Sequence, residues 1–187
     1  IPLLTGYKFL RETHMLHHKY TNNSDKDPDI GNKSKNFFHA LWICGVMQRQ
    51  PNAGYNLQTD FYQRNISKRA INEHLFFYWF HWIVMISLAW TGYGLVALSV
   101  WWIPRIVGTA YLQITLSWLP HRPMEEQGRY KDTRGWKAMT GTILTQGMEY
   151  HIIHHLYPGI PLHRTPDAFR DMRPILVEKE CVLDGGI

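Results

Sequence analysis

The sequence contains few cysteines, only Cys44 and Cys181 among its 187 residues. Neither lies in a C-x-x-C pair or in the spacing of a zinc site, so a cysteine-based redox motif or metal site is excluded. We expect both thiols to be reduced, as in a protein of the cell interior or of a membrane that faces it.

Charged side chains are absent between Glu73 and Arg105, where the sequence is apolar and aromatic. Weakly polar sequence continues to Pro120. Residues 75–119 are therefore long enough for a transmembrane hairpin, because one span needs about 20 residues. The alternative is a pair of buried helices in a soluble bundle, which fits the lack of charge less well.

The turn of this hairpin has two candidate positions. One is Gly92-Tyr93-Gly94, and the other is the stretch Trp102-Ile103-Pro104-Arg105. The first places Arg105 inside the bilayer, which is costly unless its side chain faces protein. The second leaves the returning helix short.

The basic residues lie on both sides of the hairpin, since all 20 Lys and Arg are outside residues 70–104. Both flanks are therefore expected on the cytoplasmic face, and an even number of crossings would bring them together. No nucleic-acid-binding motif accompanies the net charge of +5, so the basic flanks indicate topology and contact with lipid headgroups.

Histidine is the abundant functional residue, with 11 copies in the chain. The pattern H-x-x-H-H occurs twice, near each end of the sequence. Positions i, i+3 and i+4 share one face of a helix, so each copy can direct three imidazoles to a common point. The two boxes comprise His14, His17 and His18, and His151, His154 and His155.

Histidines without cysteine ligands favour iron, manganese or zinc. His121, just after the apolar block, adds a seventh candidate, which is too many for one four-coordinate zinc. We therefore predict two metals. A pair of redox-active irons could bind O2 and attack an unactivated C–H bond, and a site at the membrane surface implies a substrate dissolved in the bilayer.

Three further residues are candidates for contacts with the metal-binding histidines. Asp27 and Asp29 could accept hydrogen bonds from ligand imidazoles, or could simply form a turn in Asp-Pro-Asp. Arg122 could act as a donor beside the site or as an anchor at the membrane interface. Glu149 is expected to face solvent, because it lies two residues before His151 on a continuous helix.

The remaining sequence predicts an all-α fold. Residues 6–20 are expected to form the helix of the first box, which ends in a turn-forming polar run. Residues 37–47 form a short apolar segment, either interfacial or packed on other helices. A last helix is expected over residues 165–179, interrupted at Pro174.

Several of these motifs together resemble the membrane fatty acid desaturase superfamily. They are the two histidine boxes, the apolar hairpin, Leu119-Pro-His-Arg-Pro123 and His154-His-Leu-Tyr-Pro-Gly-Ile-Pro161. Leu-Pro-His-Arg-Pro and His17-His-Lys-Tyr-Thr-Asn, with the following Asp-Pro-Asp, are most similar to bacterial desaturase-like carotenoid hydroxylases and ketolases. The resemblance extends from about Leu10 to Pro174.

The resemblance implies an integral-membrane helical bundle of four spans with a cytosolic cap that holds a di-iron centre. Three histidine boxes and one histidine after the last span would supply the ligands. The second box would be His14, His17 and His18, the residue after the last span His121, and the third box His151, His154 and His155. The first box is absent from this sequence and is expected upstream of residue 1.

We therefore expect residues 1–187 to form a single, partial desaturase-like domain. Its expected activity is that of a non-haem di-iron oxygenase that uses O2 and two electrons on a lipid, and a carotenoid ring such as that of β-carotene is the favoured substrate. By resemblance the electron donor would be ferredoxin or a similar protein, because no flavin or haem motif is visible. The alternatives are a fatty acyl desaturase and, from another class, a histidine-rich membrane protein that binds metal without turnover.

Overall fold

The computed structural model describes residues 5–43, 65–137 and 142–184. Within these ranges the chain is helix and loop, except for one short parallel pair of strands, so the all-α class is confirmed. Cys181 is a free cysteine, whereas Cys44 and the end of the predicted 37–47 segment lie outside the described residues.

The regular elements of the described residues are numbered in chain order. The α-helices are Tyr7–Tyr20 (α1), Phe37–Leu41 (α2), Lys68–Leu88 (α3), Gly94–Ala97 (α4), Ile103–Leu112 (α5), Leu119–His121 (α6), Thr142–Thr145 (α7), His151–Leu156 (α8) and Thr165–Glu178 (α9). The strands are Gly135–Trp136 (β1) and Leu183–Asp184 (β2). Wider π-helical turns cover Ala89–Tyr93, Leu98–Trp102 and Gln113–Trp118, and 3-10 turns cover Ile30–Asn32, Met148–Tyr150 and Leu162–Arg164.

A helical hairpin dominates the fold. The helical stretch Lys68–His121 contains 54 residues and reverses direction at Gly92, where φ is +88°. That backbone conformation is open to glycine and strained for other residues. Trp82 of the first arm (α3) meets Trp102 of the second arm (residues 94–121), with their ring centroids 5.3 Å apart. The turn at Gly92 is thus the correct one of the two candidates, and the helix continues through Pro104, which lies in the first turn of α5.

The hairpin is long and apolar enough to cross a membrane, and its apolar side chains point outward. Only 6% of its most apolar window of 18 residues is buried. Trp90 is 90% exposed and Leu95 is 82% exposed. Helices in the core of a soluble protein bury such side chains, so these surfaces match the hydrocarbon of a bilayer and not water.

Arg105 lies within the second arm but does not project from its apolar surface. Its guanidinium carbon is 4.4 Å from the centroid of the Trp102 ring, and the side chain is half-buried. Neighbouring Ile103, Pro104 and Val107 are exposed. The cation is therefore placed against an aromatic face, an arrangement that lowers the cost of a charge in an apolar environment.

Helix α1 packs on the base of the first arm. Phe9 joins a buried cluster with Ile71 and other residues at the start of α3. The Ser67 side chain caps α3 by accepting the Ala70 N–H, and the Ser67 N–H and hydroxyl donate to the two carboxylate oxygens of Glu12 at 2.7 Å each. These bonds attach α1, which carries His14, His17 and His18, to the start of the hairpin.

The loop after α1 is attached to the end of the second arm. The Asn32 amide donates to the Ser117 hydroxyl at 3.0 Å, and the Trp118 indole donates to the Ser34 carbonyl at 3.2 Å. Ala40 of α2 is fully buried in the same cluster as Trp118. These contacts attach the polar loop to the apolar arm.

Helices α8 and α9 form a second small core behind the histidines. Ile152 and Ile153 of α8 pack with Phe169 and Leu176 of α9. Helix α9 runs through Pro174 without the expected interruption. The buried residues on both sides of the proline stabilise the helix there, so that tertiary packing overrides the local preference of the sequence.

We expect the turn at Gly92 to be sensitive to a side chain. Gly92→Ala should destabilise the protein by about 1–2 kcal/mol, because alanine is strained at this positive φ. Gly108→Ala in the second arm is the matched control, since an added Cβ there meets no atom within 4 Å. Denaturant unfolding in detergent micelles measures both variants, and equal stabilities for the two would contradict the proposed strain.

Candidate metal centre

The histidine box on α1, which contains His14, His17 and His18, does not direct its three imidazoles to one point. Residues on an α-helix are separated by about 100°, which places His17 about 60° to one side of His14 and His18 about 40° to the other. His14 and His18 therefore contact one group of side chains, while His17 points into the interior, where it is buried. The expectation of a common focus for each box is wrong, because each box is divided between two clusters.

The first cluster, the outer histidine cluster, consists of His14, His18 and His154. The three Nε2 atoms lie close together, at 2.9 Å for His14 and His154, 3.0 Å for His14 and His18, and 3.1 Å for His18 and His154. His14 is exposed and the other two are half-buried. Residues that are 136 positions apart in sequence thus meet at one point.

The second cluster, the inner histidine cluster, consists of His17, His121 and His155, all buried. The Nε2 atoms of His17 and His121 are 3.2 Å apart. One ring nitrogen from each of the three residues lies within 4.8 Å of the other two. His121 is the last residue of the hairpin, so this cluster joins both boxes to the end of the second arm.

His151, the one candidate that belongs to neither cluster, lies between them. Its ring centroid is 4.7 Å from that of His155 and 5.2 Å from that of His154. The side chain is buried, and neither of its ring nitrogens has a hydrogen-bond partner among the described residues. A buried imidazole in this position has lone-pair capacity to offer to either cluster.

Asp27 holds the ring of His17. The Asp27 carboxylate accepts a hydrogen bond from His17 Nδ1 at 2.8 Å and also accepts the backbone N–H groups of Asn22 and Asp29, each at 2.9 Å. The proton is therefore on Nδ1, and the Nε2 lone pair faces His121. Asp29 is the weaker partner of the two predicted carboxylates, with an oxygen 3.8 Å from His17 Nδ1.

Burial keeps most of these imidazoles neutral. Loss of solvent, reinforced by neighbouring histidines, lowers the pKa of His14 to about 4 and that of His18 to about 2. The pKa values of His151 and His155 are also well below 6.5 for the same reasons. In His17 burial opposes protonation, but Asp27, Asp29 and Asp132 outweigh it and raise the pKa. Neutral imidazoles are the form that binds a metal ion.

Asp132 is a residue of the site that the sequence did not indicate. Its backbone carbonyl accepts a hydrogen bond from His121 Nδ1 at 3.1 Å, and its carboxylate lies 3.8 Å from His155 Nδ1. Burial raises the pKa of this carboxyl to about 6. Asp132 belongs to a charged linker without periodicity, so no pattern in the sequence distinguishes it from surface residues.

Glu149 is buried and does not face solvent as expected. Its carboxylate accepts a hydrogen bond from the Thr145 hydroxyl, and only 3% of the residue is exposed. The expectation assumed a continuous helix into the third box. Instead Gly147, with φ +79°, interrupts the helix before the 3-10 turn Met148–Tyr150. Positions 149 and 151 are therefore not related by the geometry of one α-helix.

Arg122 lies beside the site and does not contact the histidines. Its guanidinium donates to the Lys35 carbonyl at 3.2 Å and lies 5.2 Å from the Trp118 ring centroid. With Lys35 and Trp118 it lines a cavity of about 420 Å³ that also borders His17 and His121. The cavity connects the inner histidine cluster to the outside of the protein.

The residues of both clusters suit a transition metal. Three Nε2 atoms at mutual distances of 2.9–3.1 Å cannot all be joined by hydrogen bonds, because a ring nitrogen of a neutral imidazole either carries a proton and donates or has a lone pair and accepts. The inner cluster adds His155, whose ring nitrogens are buried without a hydrogen-bond partner within the described ranges. A cation in each cluster would satisfy these lone pairs, and imidazole with carboxylate support is suited to iron or zinc.

We expect His154→Ala to reduce the bound metal without affecting membrane insertion. The variant lacks one of three nitrogens of the outer histidine cluster, so metal should fall from two ions per chain to one or fewer, while the hairpin is unchanged. His163→Ala is the matched control, because His163 is exposed outside both clusters. The number of metal ions per chain is measured by elemental analysis of the purified, membrane-extracted variants. Full metal content in His154→Ala would argue against this site.

The chain is similar in sequence to known proteins. An omega-3 fatty acid desaturase of the endoplasmic reticulum from Nicotiana tabacum is 21% identical over 210 residues, which cover 93% of this chain and 54% of the relative. The chain thus spans about half the length of the curated relative it matches. No solved structure matches the chain. The family model described as fatty acid desaturase matches residues 1–184, nearly the whole chain, and the protein therefore belongs to the fatty acid desaturase family.

Proposed function

We propose that this chain is the metal-binding part of a membrane oxygenase that uses two non-haem irons, O2 and two external electrons to oxidise C–H bonds of a lipid. The observation that carries the proposal is the convergence of two sets of three imidazole nitrogens, each set drawn from distant segments of the chain. The two irons would supply the O2 chemistry that no side chain supplies by itself.

The residues of the chain prepare the ligands for this role. Asp27 accepts a hydrogen bond from His17 Nδ1, and the Asp132 carbonyl accepts one from His121 Nδ1. The Nε2 lone pairs of His17 and His121 are therefore directed to the same place. Burial keeps the other imidazoles unprotonated. His17 and His121 are therefore oriented, and the candidate ligands other than His17 are neutral, before a metal binds, which lowers the cost of binding.

The position of the inner histidine cluster favours a substrate from the bilayer. His121 ends the second arm of the hairpin, so a ligand candidate lies where the apolar surface meets the polar cap. A lipid beside the arm would reach the site without crossing water. The even distribution of Lys and Arg around the hairpin supports a cytoplasmic face for the site, where a soluble ferredoxin-like donor could deliver electrons.

The reaction conserves atoms and electrons in either of two forms. In hydroxylation one oxygen atom of O2 enters a C–H bond of the lipid, and the other leaves as water with two protons and the two donated electrons. In desaturation two hydrogens of the lipid and the two donated electrons, with two protons, reduce O2 to two waters. The chain's residues contribute binding and orientation in both cases.

For the substrate we propose a carotenoid ring, on the basis of the Leu119-Pro-His-Arg-Pro123 motif and its similarity to carotenoid hydroxylases and ketolases. A fatty acyl chain is the second candidate. It is favoured by the relative from tobacco, whose description names a fatty acid desaturase. The two candidates differ in where the product is found, in the pigments or in the fatty acids of the membrane.

Expression of the full-length gene in bacteria that make β-carotene distinguishes these substrates. We expect new pigments that contain added oxygen, detected by chromatography and mass spectrometry, and no pigment change with His155→Ala. Unchanged pigments with new double bonds in the fatty acids would replace the carotenoid proposal with the acyl one. Fatty acids and pigments that both stay unchanged, in cells where the protein binds two irons, would contradict oxygenase function.

A metal-binding protein without turnover is the alternative from another class. It predicts variable loading with zinc and no consumption of O2 when a reductant is supplied. The oxygenase predicts two irons per chain and reductant-dependent O2 consumption. Metal analysis and an oxygen electrode on the same purified sample therefore separate the two.

A further inference from the structure

The two histidine clusters differ in the groups that surround them. In the inner histidine cluster, the Nδ1 atoms of His17 and His121 each donate to an oxygen, at 2.8 Å to Asp27 and at 3.1 Å to the Asp132 carbonyl. The Asp132 carboxylate is 3.8 Å from the third member, His155. Every histidine of this cluster thus has a carbonyl oxygen or a carboxylate near its Nδ1 atom.

The outer histidine cluster lacks such support within the described residues. His18 Nδ1 is buried and has no hydrogen-bond partner there, and no carboxylate is hydrogen-bonded to His14 or His154 in residues 5–43, 65–137 and 142–184. The contacts of these rings are chiefly with one another. Nothing comparable to Asp27 fixes which nitrogen of His18 carries its proton.

These differences have a direct consequence for cation binding. A carboxylate behind a ligand imidazole fixes its tautomer and increases its basicity, and its loss typically costs about 10–100-fold in metal affinity. Carboxylates close to the inner histidine cluster also attract a divalent cation in an interior of low polarity. The outer histidine cluster has neither contribution from the described part of the chain.

We infer that the two clusters are unequal metal sites, and that the inner histidine cluster fills first and retains its ion longer. Asp27 and Asp132 act as positioning residues for this site. The inference rests on the proposed function, because it concerns the same two irons. It goes beyond that proposal in assigning an order of loading and the residues that set it.

Stepwise loading of the full-length protein tests the order. The metal-free protein in detergent receives one and then two equivalents of ferrous iron-57 without oxygen, and Mössbauer spectra are recorded after each addition. We expect one iron environment to be filled by the first equivalent and a second environment by the next. Equal filling of both environments by the first equivalent would overturn the inference but leave the proposed function intact. Failure to bind iron would overturn both.

Two ligand variants identify which environment belongs to which cluster. With one equivalent of iron, His14→Ala should retain the spectrum of the first site, because His14 belongs to the outer histidine cluster. His121→Ala should lose that spectrum, and circular dichroism checks that the variant has folded. The opposite pattern, in which His14→Ala removes the first site, would reverse the order and contradict the inference.

Asp27→Asn tests the cause without removing a ligand. Competition with a ferrous chelator should show an affinity of the first site that is lower by about 10–100-fold, with the second site unchanged. Asp25→Asn is the matched control, because Asp25 lies in the same loop, is exposed and contacts Ser24, not a histidine. Equal losses in both variants, or a loss confined to the second site, would contradict the role of Asp27.

Discussion

The main constraint on the structure is that imidazole rings from three separate parts of the chain must be held close together. Without a cation, several unprotonated nitrogens face one another in a buried space, and the pKa values of His151 and His155 are lowered far below their usual range. Such an arrangement gains little by itself, because desolvated nitrogens without partners destabilise a protein. The packing around the histidines must therefore hold them in place, and it does so through α1, the hairpin and the core of α8 and α9.

The hairpin has two roles that follow from one feature, its turn at Gly92. It presents apolar side chains outward, which suits lipid. It also returns the chain to the end of the hairpin on which α1 packs. His121 then arrives beside His17, although 104 positions separate them. The candidate membrane-spanning element and the element that carries a candidate ligand are thus the same helical hairpin. This explains why the candidate site lies directly at the end of the apolar surface.

The sequence predicted the elements of this arrangement better than its internal geometry. Both boxes, helix α1 and the hairpin were evident from spacing and from the absence of charge, because helical periodicity and membrane insertion are local properties. Helical angles alone place His17 on a different side of α1 from His14 and His18. The two clusters could not be predicted from these angles, because the positions of the partner histidines on other segments were unknown. Asp132 and Glu149 could not be predicted, because their burial depends on contacts between segments and on the break at Gly147.

The loop between α1 and α2 connects these properties. It carries Asp27, which fixes His17, and through Asn32 and Ser34 it is hydrogen-bonded to the last turns of the second arm. A movement of the arm would therefore shift Asp27 and His121 together, which preserves the geometry of the inner histidine cluster. His14 and His18 of the outer histidine cluster lie on α1, which is attached to the first arm of the hairpin through Glu12 and Ser67. Both clusters are thus attached to the hairpin, so the difference between them lies in the carboxylates, which stand beside His17 and His155 of the inner histidine cluster.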